Sequence, residues 1–297
     1  MLRPDLAAAA RLVTGPPVTR FAPSPTGYLH LGHIVNAIYT WGIARALGGR
    51  VLLRLEDHDR IRSRAEYEAA IVEDLDWLGF VPDEGRHPLV RQSDTPEMYR
   101  DALDTLKRTA HVFACDCSRA DVGGGRYVGR CRARGLSDAP GRGVRVQFDE
   151  KTVQAHDLLC GPLEQTPSEQ CGDLLLRDRD GNWTYQFAVT VDDLRQGVTL
   201  VVRGADLLES TGRQVMLASM LGRSTPPVFL HHPLIMAQRG EKLSKSAGDT
   251  GVRELRAQGF GPEHVIGRAA TAIGLIASPR AVHASEVPSL FHEPLDL

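Results

Sequence analysis

The chain has 297 residues, 42% of them hydrophobic and 24% charged, with a formal net charge of −2. That composition excludes an intrinsically disordered chain and a broadly basic nucleic-acid binder, and it can bury a core without disulfide staples. No apolar run approaches the roughly 20 residues that a membrane helix needs. The opening MLRPDLAAAARLVTGPP lacks the apolar stretch of a signal peptide and reads as a ragged extension (1–17) of a cytosolic protein. The only lysines are Lys107, Lys151, Lys242 and Lys245, so two of the four fall in one short stretch. The five cysteines, at 115, 117, 131, 160 and 171, are odd in number and fit reduced thiols.

In chain order, Val18 to Phe21 reads as a short strand ending in the rigid loop Ala22-Pro23-Ser24-Pro25-Thr26-Gly27. A helix follows, because Ile34, Ala37, Ile38 and Trp41 recur at helical spacing, and Gly48-Gly49 stops it. Val51 to Leu55 is a compact apolar run of the kind buried on both faces of a parallel sheet. A second helix spans Ala65 to Leu78. Strand, glycine turn, helix, strand, helix opens a doubly wound α/β domain. From Cys115 to Gln170 regularity fades and the segment reads as an insertion. Strand-like runs return at Asp173–Arg177, Thr184–Val191, Val198–Val202 and Phe229–Met236, with a helix over Gly212–Leu221. Helical patterning follows at Val252–Ala257 and Pro262–Leu275, and the last twenty or so residues read as a loosely held tail.

Two stretches carry chemistry. His30 and His33 stand three apart where the first helix begins. A helix N-terminus favours an anion, and imidazoles there suit phosphate oxygens, with Gly32 allowing close backbone approach. The bland alternative is a helix-capping turn. Lys242-Leu-Ser-Lys-Ser246 places two compact cations in a loop, where they suit a polyphosphate or merely face solvent.

Together, RFAPSPTGYLHLGH (20–33) and KLSKS (242–246) resemble the paired signatures of class I aminoacyl-tRNA synthetases. RLEDHDRIRS (54–63), YQFAVTVDD (185–193), VRGADLLEST (202–211) and HHPLIMAQRGEKLSKS (231–246) narrow the likeness to the glutamyl-tRNA synthetase subfamily, over residues 18 to 275. A full glutamyl-tRNA synthetase continues into helical anticodon-binding domains, whereas this chain stops soon after KLSKS. It is therefore similar to the short glutamyl-Q tRNA(Asp) synthetases.

The resemblance implies a Rossmann-type catalytic domain in two halves (18–110 and 171–240), a zinc-binding insertion (111–170) and a helical C-terminal subdomain with tail (241–297). It implies activation of L-glutamate by ATP with Mg2+, then transfer to the queuosine base at the wobble position of tRNA(Asp). His30, His33 and Lys245 become the candidate catalytic residues. ATP would also meet Gly32 and Lys242. Arg20, Phe21, Ala22, Pro23, Ser24, Glu56, Tyr185 and Arg203 become the glutamate pocket, Arg20 and Arg203 on carboxylates and Glu56 on the ammonium. The same likeness makes Cys115, Cys117, Tyr127 and Cys131 the ligands of one structural Zn2+. Nothing in the sequence implies an oligomer, and a monomer is expected. Three rivals stay open: a short synthetase charging the 3′ end of tRNA(Glu), a related nucleotidyltransferase, and a non-catalytic zinc-binding RNA module.

Overall fold

The computed structural model describes residues 2–58, 60, 62–235 and 251–292. Strand β1 (Val18–Phe21) pairs in parallel with β2 (Arg50–Leu53), and helix α2 (Leu31–Ala46) connects them. A short helix, α1 (Leu6–Leu12), precedes β1, and α3 (Ala65–Leu78) follows β2. A parallel pair with a helical crossover needs both faces covered, so β2 is buried at every position after Arg50. The Thr199 N–H donates to Val18 O at 2.9 Å, placing β1 beside β8 (Leu200–Gly204). Strand β8 pairs in parallel with β9 (Val228–His232), and β9 meets β5 (Val153–Asp157), also in parallel. Strand β6 (Gly161–Gln165) closes this sheet as an antiparallel edge on β5. A separate antiparallel sheet joins β3 (Val112–Cys115), β4 (Gly143–Val146) and β7 (Leu174–Arg177). The expected parallel, doubly wound α/β architecture is present.

The helices read from periodicity lie where expected. Helix α3 keeps the expected bounds, and Gly79 ends it at φ +81°, a conformation that favours glycine. Four expectations need correction. Thr184–Val191, expected as a strand, is instead the start of helix α7 (Tyr185–Arg195), because its Val and Thr run is buried on consecutive positions, which hides helical amphipathy. The segment expected to be irregular after Cys115 holds two short turns, α5 (Arg119–Val122) and α6 (Pro167–Gln170), but also strands β4, β5 and β6. The C-terminal tail is not loose: a 3₁₀ segment, Ala284–Phe291, buries Val287, Leu290 and Phe291. Phe291 fills the space beside Gly42 of α2, where an added Cβ would stand 2.2 Å from its ring. The N-terminal extension is also held. Asp5 caps α1, Ala9 and Val13 are buried, and the Tyr39 hydroxyl donates to Leu2 O at 2.7 Å.

Pro96–Thr109, where no element was expected, forms the amphipathic α4, whose Tyr99, Leu103 and Leu106 pack into the second core with β4, β7 and α7. The remaining helices are α8 (Thr211–Met220), α9 (Val252–Ala257) and α10 (Pro262–Ala272). Helix α10 and the C-terminal segment support α2 from behind, while α2 aims its N-terminus at the strand ends.

Candidate active site

A cavity of about 430 Å³ opens at the C-terminal ends of β1 and β8, where a doubly wound sheet presents its ligands. Its wall holds Arg20, Phe21, Ala22, Pro23, Ser24, Glu56, Tyr185 and Arg203 together with His30 and His33. Residues from 20 to 203 thus converge on one pocket, with no disulfide among the described cysteines.

At the mouth, both imidazoles are fixed by the backbone. His30 Nδ1 accepts from Gly32 N at 3.1 Å, and His33 Nδ1 accepts from His30 N at 3.1 Å. This is a capping box, and it is built by the same two histidines that the sequence singled out as candidates. With Nδ1 engaged as acceptor, the neutral ring carries its proton on Nε2, the atom that can donate to an oxyanion. An added Cβ at Gly32 would stand 2.9 Å from His30 Cε1, so a side chain there would push the imidazole off its bond with Gly32 N.

The two arginines differ in how their charge is met. Arg20 is tied to a carboxylate: its Nε donates to Asp193 at 2.9 and 3.1 Å, and its Nη1 reaches Val202 O at 3.2 Å. Asp193 also accepts from Arg54 Nη1 at 2.9 Å. Burial works to raise the Asp193 carboxyl, but the guanidiniums of Arg20 and Arg54 outweigh it and hold it below the ordinary carboxylate value. Arg54 Nη2 in turn donates to Glu56 Oε1 at 2.9 Å, which aims the carboxylate into the cavity wall.

Arg203, only 4% exposed, donates to three neutral acceptors: His231 Nε2 at 2.9 Å, Thr211 Oγ1 at 2.9 Å and Gln214 Oε1. Among the described residues, no carboxylate lies within ion-pair distance of it. Burial drives its pKa down to about 10, against the opposing pull of neighbouring groups such as Tyr185. A buried cation without a counter-ion is costly unless an anion joins it. The phenol of Tyr185, enclosed between these charges, is pushed up to about 12 chiefly by burial.

A second cluster lies in the cysteine segment. The sulfurs of Cys115, Cys117 and Cys131 all fall within 4.8 Å of one another. Cys117 and Cys131 are 3.6 Å apart, and the Tyr127 hydroxyl lies 3.6 Å from Cys115 Sγ. Zinc–sulfur bonds of about 2.3 Å in a tetrahedron place sulfurs roughly 3.8 Å apart, so the donor set fits zinc. Arg145 Nε stands 3.4 Å from Cys115 Sγ and Arg134 Nη1 3.4 Å from Cys131 Sγ. Burial works to raise the Cys131 thiol, but hydrogen bonds from Tyr127 and Arg134 among others hold it below its ordinary value, while burial pushes Cys117 up to about 11. Cys160 and Cys171 lie outside the cluster.

Residues 17–275 match the family profile of class I tRNA synthetases (E and Q), catalytic domain. The chain belongs to this family of synthetases. It is thereby an enzyme of the ligase type. A protein of Symbiobacterium thermophilum named glutamyl-Q tRNA(Asp) synthetase is 38% identical over 296 residues, covering 92% of this chain and 91% of its own. Glutamate–tRNA ligase 2 of Cereibacter sphaeroides is 38% identical over 262 residues, 82% of this chain but 58% of its own length. The crystal structure of a glutamate-tRNA synthetase from Elizabethkingia anophelis superposes with a TM-score of 0.77 at 27% identity, covering 94% of this chain and 66% of that one.

Within this synthetase, Lys242 and Lys245 lie outside the described residues. Sequence reasoning missed Thr26, Asn36, Asp206 and Leu207, which also line the cavity. It also missed Asp157, Asp193 and His231, which stand behind the arginines. The doubled acid in YQFAVTVDD and the doubled histidine of HHPLI were the available signals.

Proposed function

We propose that this synthetase joins L-glutamate to ATP as glutamyl-adenylate and transfers the glutamyl group to the queuosine base of tRNA(Asp), acting as a cytosolic monomer. The observation that carries the proposal is Arg203, a buried guanidinium facing the pocket whose hydrogen-bond partners among the described residues are all neutral. A second carboxylate on the substrate answers that need with bidentate geometry. Glu56 provides the opposite charge for the substrate ammonium, and Arg20 meets the remaining carboxylate edge. The α-carboxylate attacks the α-phosphorus of ATP, and pyrophosphate leaves. His30 and His33, as Nε2–H donors at the N-terminus of α2, stabilise charge on the phosphates, and Lys242 and Lys245 neutralise the leaving group. Gly32 lines the same ATP approach.

Mg2+ accompanies the nucleotide, where it supplies charge neutralisation. Zn2+ is held by Cys115, Cys117, Tyr127 and Cys131 and contributes folding energy to a segment with a small core of its own. Support for queuosine as acceptor comes from relatives of that name in Symbiobacterium thermophilum, Rhodobacter capsulatus and Nitratidesulfovibrio vulgaris. No helix among the described residues is long and apolar enough to cross a membrane.

The test offers labelled glutamate and ATP with purified tRNA(Asp), bearing or lacking queuosine, and with tRNA(Glu). Label on queuosine-bearing tRNA(Asp) alone is expected. Label on tRNA(Glu) replaces the acceptor with a 3′ end and makes this a compact aminoacylating enzyme. Failure to exchange pyrophosphate with glutamate present overturns the activation step itself.

A further inference from the structure

Behind Arg203 lies a buried chain of hydrogen bonds that ends on a carboxylate. His231 Nδ1 stands 2.6 Å from Asp157 Oδ2, and the His231 N–H donates to that oxygen at 2.9 Å. The other Asp157 oxygen accepts from Leu159 N and Cys160 N, each at 2.8 Å. Both side chains are fully buried. On the far edge of the ring, Arg203 Nε donates to His231 Nε2 at 2.9 Å. Phe229, two residues earlier on β9, stacks on the imidazole at 5.9 Å and lies 5.2 Å from the Arg203 guanidinium carbon.

This geometry dictates the tautomer. A guanidinium has no lone pair to offer, so Nε2 must be the acceptor and the proton must sit on Nδ1, facing Asp157. Burial also pushes His231 below the ordinary imidazole value, although the hydrogen bond to Asp157 pulls the other way. The ring is therefore neutral near pH 7. The contrast with Arg20 matters here. Asp193 touches Arg20 directly and meets its charge. Asp157 reaches Arg203 through a neutral ring, and no carboxylate among the described residues touches the guanidinium.

We infer that Asp157 and His231 form a positioning pair that sets the plane of the Arg203 guanidinium and reserves its charge for the side-chain carboxylate of the substrate. The pair would thereby help the pocket prefer a dicarboxylic amino acid over its neutral amide. The inference rests on the reading of this pocket as the glutamate site. It also ties β5, which follows the cysteine cluster in the chain, to substrate selection on β8.

The test compares wild type with Asp157→Asn, His231→Leu and His231→Gln, each first checked for a native unfolding midpoint. Glutamate-dependent pyrophosphate exchange is measured against both substrates and against glutamine. Asp157→Asn and His231→Leu are expected to raise the KM for glutamate about 10- to 100-fold, the scale of one hydrogen bond to a charged group. The KM for ATP should stay within about twofold, and the glutamate-over-glutamine ratio should fall with the loss of charge alignment. His231→Gln keeps an acceptor for Arg203 Nε and should recover much of the loss. Where Asp157→Asn does not fold, the two His231 variants decide the matter. Equal rises in both KM values, or folded variants that match wild type, overturn the inference. If wild type itself does not use glutamate, the substrate reading falls separately. The pair is then judged on the His231 ¹⁵N resonances, which must show an Nδ1–H tautomer lost in Asp157→Asn.

Discussion

Replacing Arg203 with alanine bears on the whole argument for the pocket. The guanidinium removed is 4% exposed and serves three acceptors. One is rescued at once, because Thr211 Oγ1 lies 3.3 Å from His231 Nε2 and can donate to it. Gln214 Oε1 loses its charged partner, which costs about 1–3 kcal/mol in stability. Relief of a buried cation that no described carboxylate touches offsets part of that cost. Binding suffers more. Two charge-assisted hydrogen bonds to a carboxylate, at about 1.5–3 kcal/mol each, convert to a rise of roughly 10²- to 10⁴-fold in the KM for glutamate. Pyrophosphate exchange measured against each substrate should show that rise for glutamate and less than about a twofold change for ATP. Arg203→Lys keeps the charge but not the fork, and should fall between. A folded Arg203→Ala protein with unchanged affinity for glutamate, or with both KM values raised together, refutes the assignment.

Lys245→Ala should depress the rate of adenylate formation with the KM for glutamate nearly unchanged, as single-turnover exchange would show. Chelation, or Cys131→Ser, should release one equivalent of zinc by a colorimetric assay and lower the unfolding midpoint; a metal-free wild type of the same stability counts against the site. Phe291→Ala removes a buried ring packed on α2 and should cost about 3 kcal/mol or more in urea unfolding, whereas a loosely held tail would cost nothing. His232, buried between Asn36 and Pro233 O, has its pKa driven by burial from 6.5 to about 4. Between those values the unfolded chain binds the proton and the fold does not, so stability is present above pH 6.5 and is lost on acidification. The loss reaches about 3 kcal/mol by pH 4. Asp74, raised by burial to about 6, acts in the opposite sense, so the comparison is with His232→Gln, which should lack this part of the acid loss.

Legibility followed the physics of each element. Helix α3 repeats its apolar residues on one face, so Ile71, Leu75 and Leu78 announced it. Helix α7 is buried from Phe187 to Asp193 and carries three β-branched residues in a row, so its period was masked and its type was misread. The 3₁₀ segment at Ala284–Phe291 contains Pro288 and reads as coil until Gly42 of α2 is seen to leave room for Phe291. In the pocket, the residues expected to hold glutamate stood inside contiguous motifs and could be read directly as a group that lines one cavity. Asp157 could not. It lies in a stretch with no visible pattern, and only the β5–β9 pairing brings it to His231. Supporting groups are selected by three-dimensional neighbourhood, which a linear pattern does not record.

The attachment of α9 has a consequence for the turn that carries the imidazoles. Val252 N donates to Leu29 O at 2.9 Å, and Gly251 forms an antiparallel bridge to His30. On its other side α9 holds α3, because Arg253 Nη2 and Arg256 Nη1 reach the two Glu73 oxygens at 2.6 and 3.0 Å. The short helix is thus a strut between α3 and the start of α2, two elements that flank β2, so a displacement of α3 reaches the His30 backbone through α9 as well as through the core.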